Sequence, residues 1–189
     1  YPVFHMRDRR HEGTALMWAC GCRNESGDSG LELVKWLVEN CGQTGEEREA
    51  FVNMKNKEGR TALMFAAKYG NIEAFRYLIG EESGKAAKLD VFSNDGSSVF
   101  DWCVYGAPEV PDSDSNPDPK SDPPTLPLVE LVASLSPDLV TRKNNFDCTC
   151  LHWAAAGGKT GVLKWVWRHL KTGQSQQADA EEFFGSVNS

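Results

Sequence analysis

Thr14-Ala15-Leu16-Met17-Trp18-Ala19-Cys20 and Thr61-Ala62-Leu63-Met64-Phe65-Ala66-Ala67 are two versions of one seven-residue segment. The fourth along the chain, Thr149-Cys150-Leu151-His152-Trp153-Ala154-Ala155, fits the same template, and the third, Ser98-Val99-Phe100-Asp101-Trp102-Cys103-Val104, is more diverged. Each copy opens on a hydroxyl residue, Thr14, Thr61, Ser98 or Thr149. Such residues cap helices, because their oxygen accepts from the first amides that lack an intrahelical partner. A unit that recurs at intervals of tens of residues marks a row of small stacked elements, and it decides the fold before any single residue does.

The surroundings of each copy agree with this reading. Gly70 follows the second copy and Gly157-Gly158 the fourth, where a left-handed turn would end a short helix. A second helix is predicted after each, from apolar residues at helical spacing. The sets are Leu33, Val34 and Leu37, then Ile72, Phe75, Leu78 and Ile79, then Leu128, Leu131, Val132 and Leu135. No such helix pair is large enough to bury its own apolar face, so neighbours must cover it.

The fourth copy resembles the ankyrin signature Thr-Pro-Leu-His-x-Ala, and the second runs through the same template without a gap, from Gly59 to Leu78. Phe4 to Asp8, Phe51 to Asn56 and Leu89 to Asn94 look like the extended fingers that separate ankyrin repeats. The resemblance covers roughly residues 4 to 170 and implies an all-α solenoid of helix-turn-helix pairs with β-hairpin-like fingers. Four repeats are expected, near 8–40, 55–80, 93–135 and 144–170, in one domain over 1–171 with a tail over 172–189. The tail carries Ala178 to Phe184, a candidate short helix with Phe183 and Phe184 as a hydrophobic hook.

The copies depart from the family period of about 33 residues. The first has about six extra residues around Gly21 to Gly30, and the third about twenty in an acidic, Pro-rich insertion over 108–127. The finger before the second copy is about eight residues too long, and the one before the third about four. The third copy also has Asp101 where the family has His and Val99 where it has Pro.

Net charge is −7, which opposes general nucleic-acid binding, since that needs clustered cations. Arg7, Arg9, Arg10 and His11 are a local exception, read as a solvated basic loop. No stretch has the length and apolarity to span a membrane. The chain starts with Tyr1, which suggests a processed form or a portion of something longer. Its six cysteines, Cys20, Cys22, Cys41, Cys103, Cys148 and Cys150, fall mostly where the family places small apolar residues. Reduced thiols are expected, and with them an intracellular reducing compartment, cytoplasm or organelle interior, with a plastid open.

Several short motifs mislead. Gly27-Asp28-Ser29-Gly30 spells a serine-protease tetrapeptide, but no base or all-β pattern accompanies it. Gly158-Lys159-Thr160 looks like the end of a phosphate loop, yet its earlier Gly would fall on Trp153. Asp112 to Asp118 resembles half a calcium loop, but Pro117 stands at the sharp-turn Gly and Pro123 at the bidentate Glu. Cys148-x-Cys150-x-His152 and Cys20-x-Cys22 lack four converging ligands for zinc. In the family His152 makes structural hydrogen bonds between turns and repeats. No catalytic, cofactor or metal residue is therefore assigned. The aromatic series Trp18, Phe65, Trp102, Trp153 and Trp36, Tyr77, Trp165 are read as packing between repeats rather than as a ligand ladder.

The resemblance implies a protein partner on the concave face built by fingers and first helices, with no cofactor and no nucleic acid. The positions that map there are Arg10, His11, Arg60, Lys68, Tyr69, Tyr105, Asn145 and Phe146, together with Gly13, Lys57, Glu58, Asn94, Asp95, Ser97 and Cys148. Tyr69, Tyr105 and Phe146 suit anchors, and Arg10 and Arg60 suit charged pairs with an acidic partner. A second surface is offered by Glu109, Asp112, Asp114, Asp118 and Asp122 of the insertion. The expected function is a non-catalytic protein–protein interaction module, an accessory or scaffold subunit of a larger assembly. The alternative is the regulatory ankyrin portion of a longer enzyme whose catalytic domain lies elsewhere.

Overall fold

The computed structural model describes residues 2–22, 30–80, 87–107 and 126–172. Within them the chain forms α1 (Ala15–Cys20), α2 (Leu31–Asn40), α3 (Gly45–Val52), α4 (Ala62–Lys68), α5 (Ile72–Ile79), α6 (Val99–Gly106), α7 (Pro127–Leu135), α8 (Cys150–Ala156) and α9 (Thr160–Thr172). Helices α1, α4, α6 and α8 lie side by side in chain order. Each packs against its own second helix, α2, α5, α7 or α9. The result is an all-α solenoid of four helix pairs with one continuous core.

The four copies start their helices by variations on one device. Thr14 accepts from the Met17 N–H at 3.4 Å. In the third copy Ser98 Oγ accepts from the Asp101 N–H at 3.2 Å, while Asp101 Oδ2 accepts from the Ser98 N–H at 2.8 Å. In the fourth, His152 Nδ1 accepts from the Thr149 N–H at 3.1 Å. Asp101 thus performs the reach-back of the family's histidine, which is why the third copy tolerates it. Thr61 differs from expectation. Its backbone is extended as a cap should be, but its hydroxyl makes no capping bond.

Gly70 and Gly158 take left-handed conformations, φ 65° each, and turn the chain into the second helices. Asn71 then caps α5 by accepting from the Ala74 N–H, and its amide donates to the Cys20 carbonyl of the preceding repeat.

The fingers are tight loops closed by Asp8 N–H to Gly13 O, Asn56 N–H to Arg60 O, Ser93 N–H to Ser97 O and Asn144 N–H to Cys148 O, all at 2.9–3.0 Å. Each of the last three donates one hydrogen bond to the finger before it: Lys57 N–H to His11 O, Asn94 N–H to Glu58 O, Asn145 N–H to Asp95 O. This places consecutive tips in direct contact. Gly59 and Gly96, φ 77° and 79°, are required there, because a Cβ on either would collide with Asn94 or Asn145 of the next tip.

Phe51, Phe75, Phe100, Leu16, Leu63 and Met64 are fully buried, and Ala66, Cys103 and Ala154 let the first helices approach closely. None of the six cysteines forms a disulfide; Cys20, Cys41, Cys103 and Cys150 are buried as small apolar residues.

Three expectations are corrected. The over-long finger before the second repeat is instead an extra helix, α3, so Phe51 and Val52 are its buried end rather than finger residues. Its start is a capping box: Thr44 Oγ1 accepts from the Glu47 N–H at 3.1 Å, and Glu47 Oε2 accepts from the Thr44 N–H. Lys88 leans on this helix through Glu49 at 2.8 Å and Asn53. Second, Leu33 and Leu135 are exposed rather than part of the core face, since they fall on the outer flank of their helices. Third, Trp18 and Trp36 are exposed and so do not fill space between repeats, whereas Trp102 and Tyr77 do.

Candidate functional site

The residue four after each cap, Trp18, Phe65, Trp102 and Trp153, leaves each first helix toward the neighbouring copy. The Trp18 and Phe65 rings sit edge-on with centroids 6.4 Å apart, and Trp102 and Trp153 are 5.7 Å apart. Tyr69 and Tyr105 follow at the ends of α4 and α6. Tyr69 lies 6.4 Å from Phe65, and Tyr105 lies 6.0 Å from Trp102 and 5.8 Å from Trp153. His11 extends the series by an edge contact with Trp18 at 6.3 Å. Two aromatic groups, one over the first two repeats and one over the last two, therefore line the first-helix side and form one band where Lys68 bridges Tyr69 to Trp102 and Tyr105.

Two cations occupy its centre. The Arg60 guanidinium lies over the Trp102 ring, 4.3 Å from the centroid. Lys68 Nζ stands 5.4 Å from the Tyr69 ring, 5.5 Å from Trp102 and 5.8 Å from Tyr105. Burial, and then the Arg60 charge, pull the Lys68 ammonium below its ordinary pKa.

The fingers hold the rim of this band in place. Asp8 accepts from the N–H groups of His11, Gly13 and Arg10 and from the Trp18 indole at 3.3 Å. These bonds, His11 first, hold its carboxyl at about 2. His11 Nδ1 lies 3.5 Å from Glu58 on the next finger. Asp95 is bonded by Ser93 and Ser97. Burial acts to raise its pKa, but those bonds and nearby Arg60 leave it below the ordinary value.

Of the sequence-derived positions, His11, Arg60, Lys68, Tyr69 and Tyr105 come together on this band. Tyr69 and Tyr105 are 37% and 40% exposed, enough to offer a ring face. Arg10 sits apart on the first finger, its backbone tied to Asp8. Asn145 is a staple between fingers, donating from Nδ2 to Asn94 O at 3.2 Å. Among the described residues Phe146 is the most exposed large apolar side chain, at 73%. Gly13 and Ser97 are buried and offer no surface, a correction to their expected place on the face. Glu109, Asp112, Asp114, Asp118 and Asp122 lie outside the described residues, as do the protease-like Gly27-Asp28-Ser29, the calcium-loop look-alike and the tail. Trp18 belongs to the face but was assigned to packing, whereas Trp102 is buried as packing requires and presents its ring only to Arg60 and Lys68. The common register of Trp18 with Phe65 was the signal that could have placed it there.

The cysteines and His152 do not assemble a centre. Cys150 Sγ meets the Val140 carbonyl, and His152 Nδ1 is used in its helix cap. Among the described residues, no three His, Cys, Asp or Glu side chains group around a metal position. None of the helices there is long and apolar enough to cross a membrane.

A model of ankyrin repeats, in three copies, matches residues 16–110, just over half of the chain. The solved complex of the yeast ribosomal protein Rps3 with its chaperone Yar1 contains a similar chain. That likeness has 22% identity and a TM-score of 0.47, over 56% of this chain and 65%, just under two thirds, of that one. No curated protein matches the sequence.

Proposed function

Because the chain belongs to the ankyrin repeat family, a family of protein–protein interaction modules, we propose that its aromatic and cationic first-helix face docks a protein partner. In this reading the chain is non-catalytic and serves as an accessory or scaffold subunit in a reducing compartment. The observation that carries it is the band from His11 to Trp153, with Arg60 and Lys68 at its middle. Rigid aromatics and arginine supply binding energy out of proportion to their number. The helix stack and the finger-to-finger bonds hold them before a partner arrives, so little ordering entropy is lost on docking.

The test is cross-linking of the protein in its native source, with mass spectrometry to identify the partner, followed by a triple Arg60, Tyr69 and Phe146 to Ala variant. Loss of partner affinity by two orders of magnitude or so is expected when three anchors go. Unchanged affinity would remove this face from consideration and turn attention to the 108–127 insertion.

A further inference from the structure

The centre of the band carries two cations that no carboxylate meets in a close ion pair among the described residues. Among the described residues neither Arg60 nor Lys68 makes an ion pair within 4.0 Å. Arg60 Nε is buried and has no acceptor. The nearby acids are already engaged, Asp95 by Ser93 and Ser97 and Glu58 by Asn56 and His11. Two like charges on a half-buried apolar surface repel each other, and both would be relieved by one carboxylate. A guanidinium stacked on an indole retains its fork of N–H donors for such a group. The surrounding rings limit water, which strengthens the bond that forms.

Resting on the docking face proposed above, we propose that Arg60 and Lys68 receive an acidic segment of the protein partner. An Asp or Glu carboxylate pairs with both cations, and an apolar or aromatic neighbour in that segment packs on Tyr69 and Tyr105. Charge complementarity selects this occupant. Nucleic acid is disfavoured, because phosphate binding is built from many cations in a chain-wide field. Here there are two, flanked by Glu58 and Asp95, in a protein of net charge −7.

The probe is a synthetic twelve-residue peptide alternating Glu-Glu with Phe or Leu, titrated by NMR against the full chain up to millimolar concentration. Its Gln-for-Glu counterpart and a twelve-nucleotide oligo-dT serve as comparisons. The acidic peptide should bind, the Gln peptide should bind at least ten-fold more weakly, and the oligonucleotide should not compete. Arg60→Gln and Lys68→Met should each weaken the acidic peptide about ten-fold or more. Lys57→Gln, an equal change in net charge on the exposed finger, should cost less than about three-fold. Lys68→Arg keeps the charge and should keep binding, which separates charge from any packing loss in Lys68→Met; melting curves of each variant check the fold. No binding of the acidic peptide, equal losses in all three charge-removing variants, or tighter binding of oligo-dT would each overturn the proposal. Should the triple alanine variant lose its native partner while Arg60→Gln and Lys68→Met keep it, the face stands and the acidic segment falls.

Discussion

Asp101 carries a pH dependence that can be worked out in advance. It is 3% exposed and takes the histidine's place in the third helix cap. Burial raises its pKa from 3.8 to about 6, against the hydrogen bonds of Ser98 and the charge of Arg142, which act to lower it. The native state therefore holds this proton where the unfolded chain has already released it. Stability from this group is complete below pH about 4 and is lost as pH rises through about 6. At 1.36 kcal/mol per unit, the shift amounts to about 3 kcal/mol. The assay is urea unfolding followed by tryptophan fluorescence at intervals from pH 4.5 to 7, for the parent chain and for Asp101→Asn. The Asn side chain keeps an acceptor for the Ser98 N–H and cannot ionise. The difference between the two proteins should move in favour of the variant by about 2–3 kcal/mol as pH rises. Asp8 and Glu47 have lowered pKa values, act in the opposite sense at lower pH, and cancel in the difference. A difference that stays flat across this window would refute the assignment of a buried, proton-retaining carboxyl to this cap.

Three further outcomes follow from packing. Gly106→Ala should destabilise by about 1–3 kcal/mol despite the better helix propensity of Ala, because its Cβ would land on the Lys68 backbone where α6 crosses α4; a thermal melt reads this. Phe75→Ala, at a fully buried ring of α5, should cost about 3–5 kcal/mol in urea unfolding. Phe146→Ala should leave stability within about 0.5 kcal/mol, since the ring is mostly exposed, and should register only in partner affinity.

Much of this architecture was legible from residue order, because a repeat announces itself by recurrence. The caps at Thr14, Ser98 and Thr149, the turns at Gly70 and Gly158, and the second helices from Ile72 and Leu128 all rest on local rules that act within a few residues. The extra helix α3 was also locally encoded, in the Thr44 to Glu47 box. It was missed because the finger template was extended back through Phe51. Asp101 looked like a defect in the third copy until its carboxylate was found making the same backward bond as His152.

The sequence by itself determined the unit, its number and its order, since short-range hydrogen bonding and apolar spacing are written along the chain. Tertiary structure alone decided which aromatics face outward. Trp18 and Trp102 share one template position, yet one is half exposed and the other buried. The difference lies in what the neighbouring copy places over each ring. It also decided that Arg60, just before the cap of α4, and Lys68, the last residue of that helix, converge on the Trp102 ring of α6. Charge and ring meet there through the stacking of one repeat on the next, a distance that no reading along a single chain segment contains.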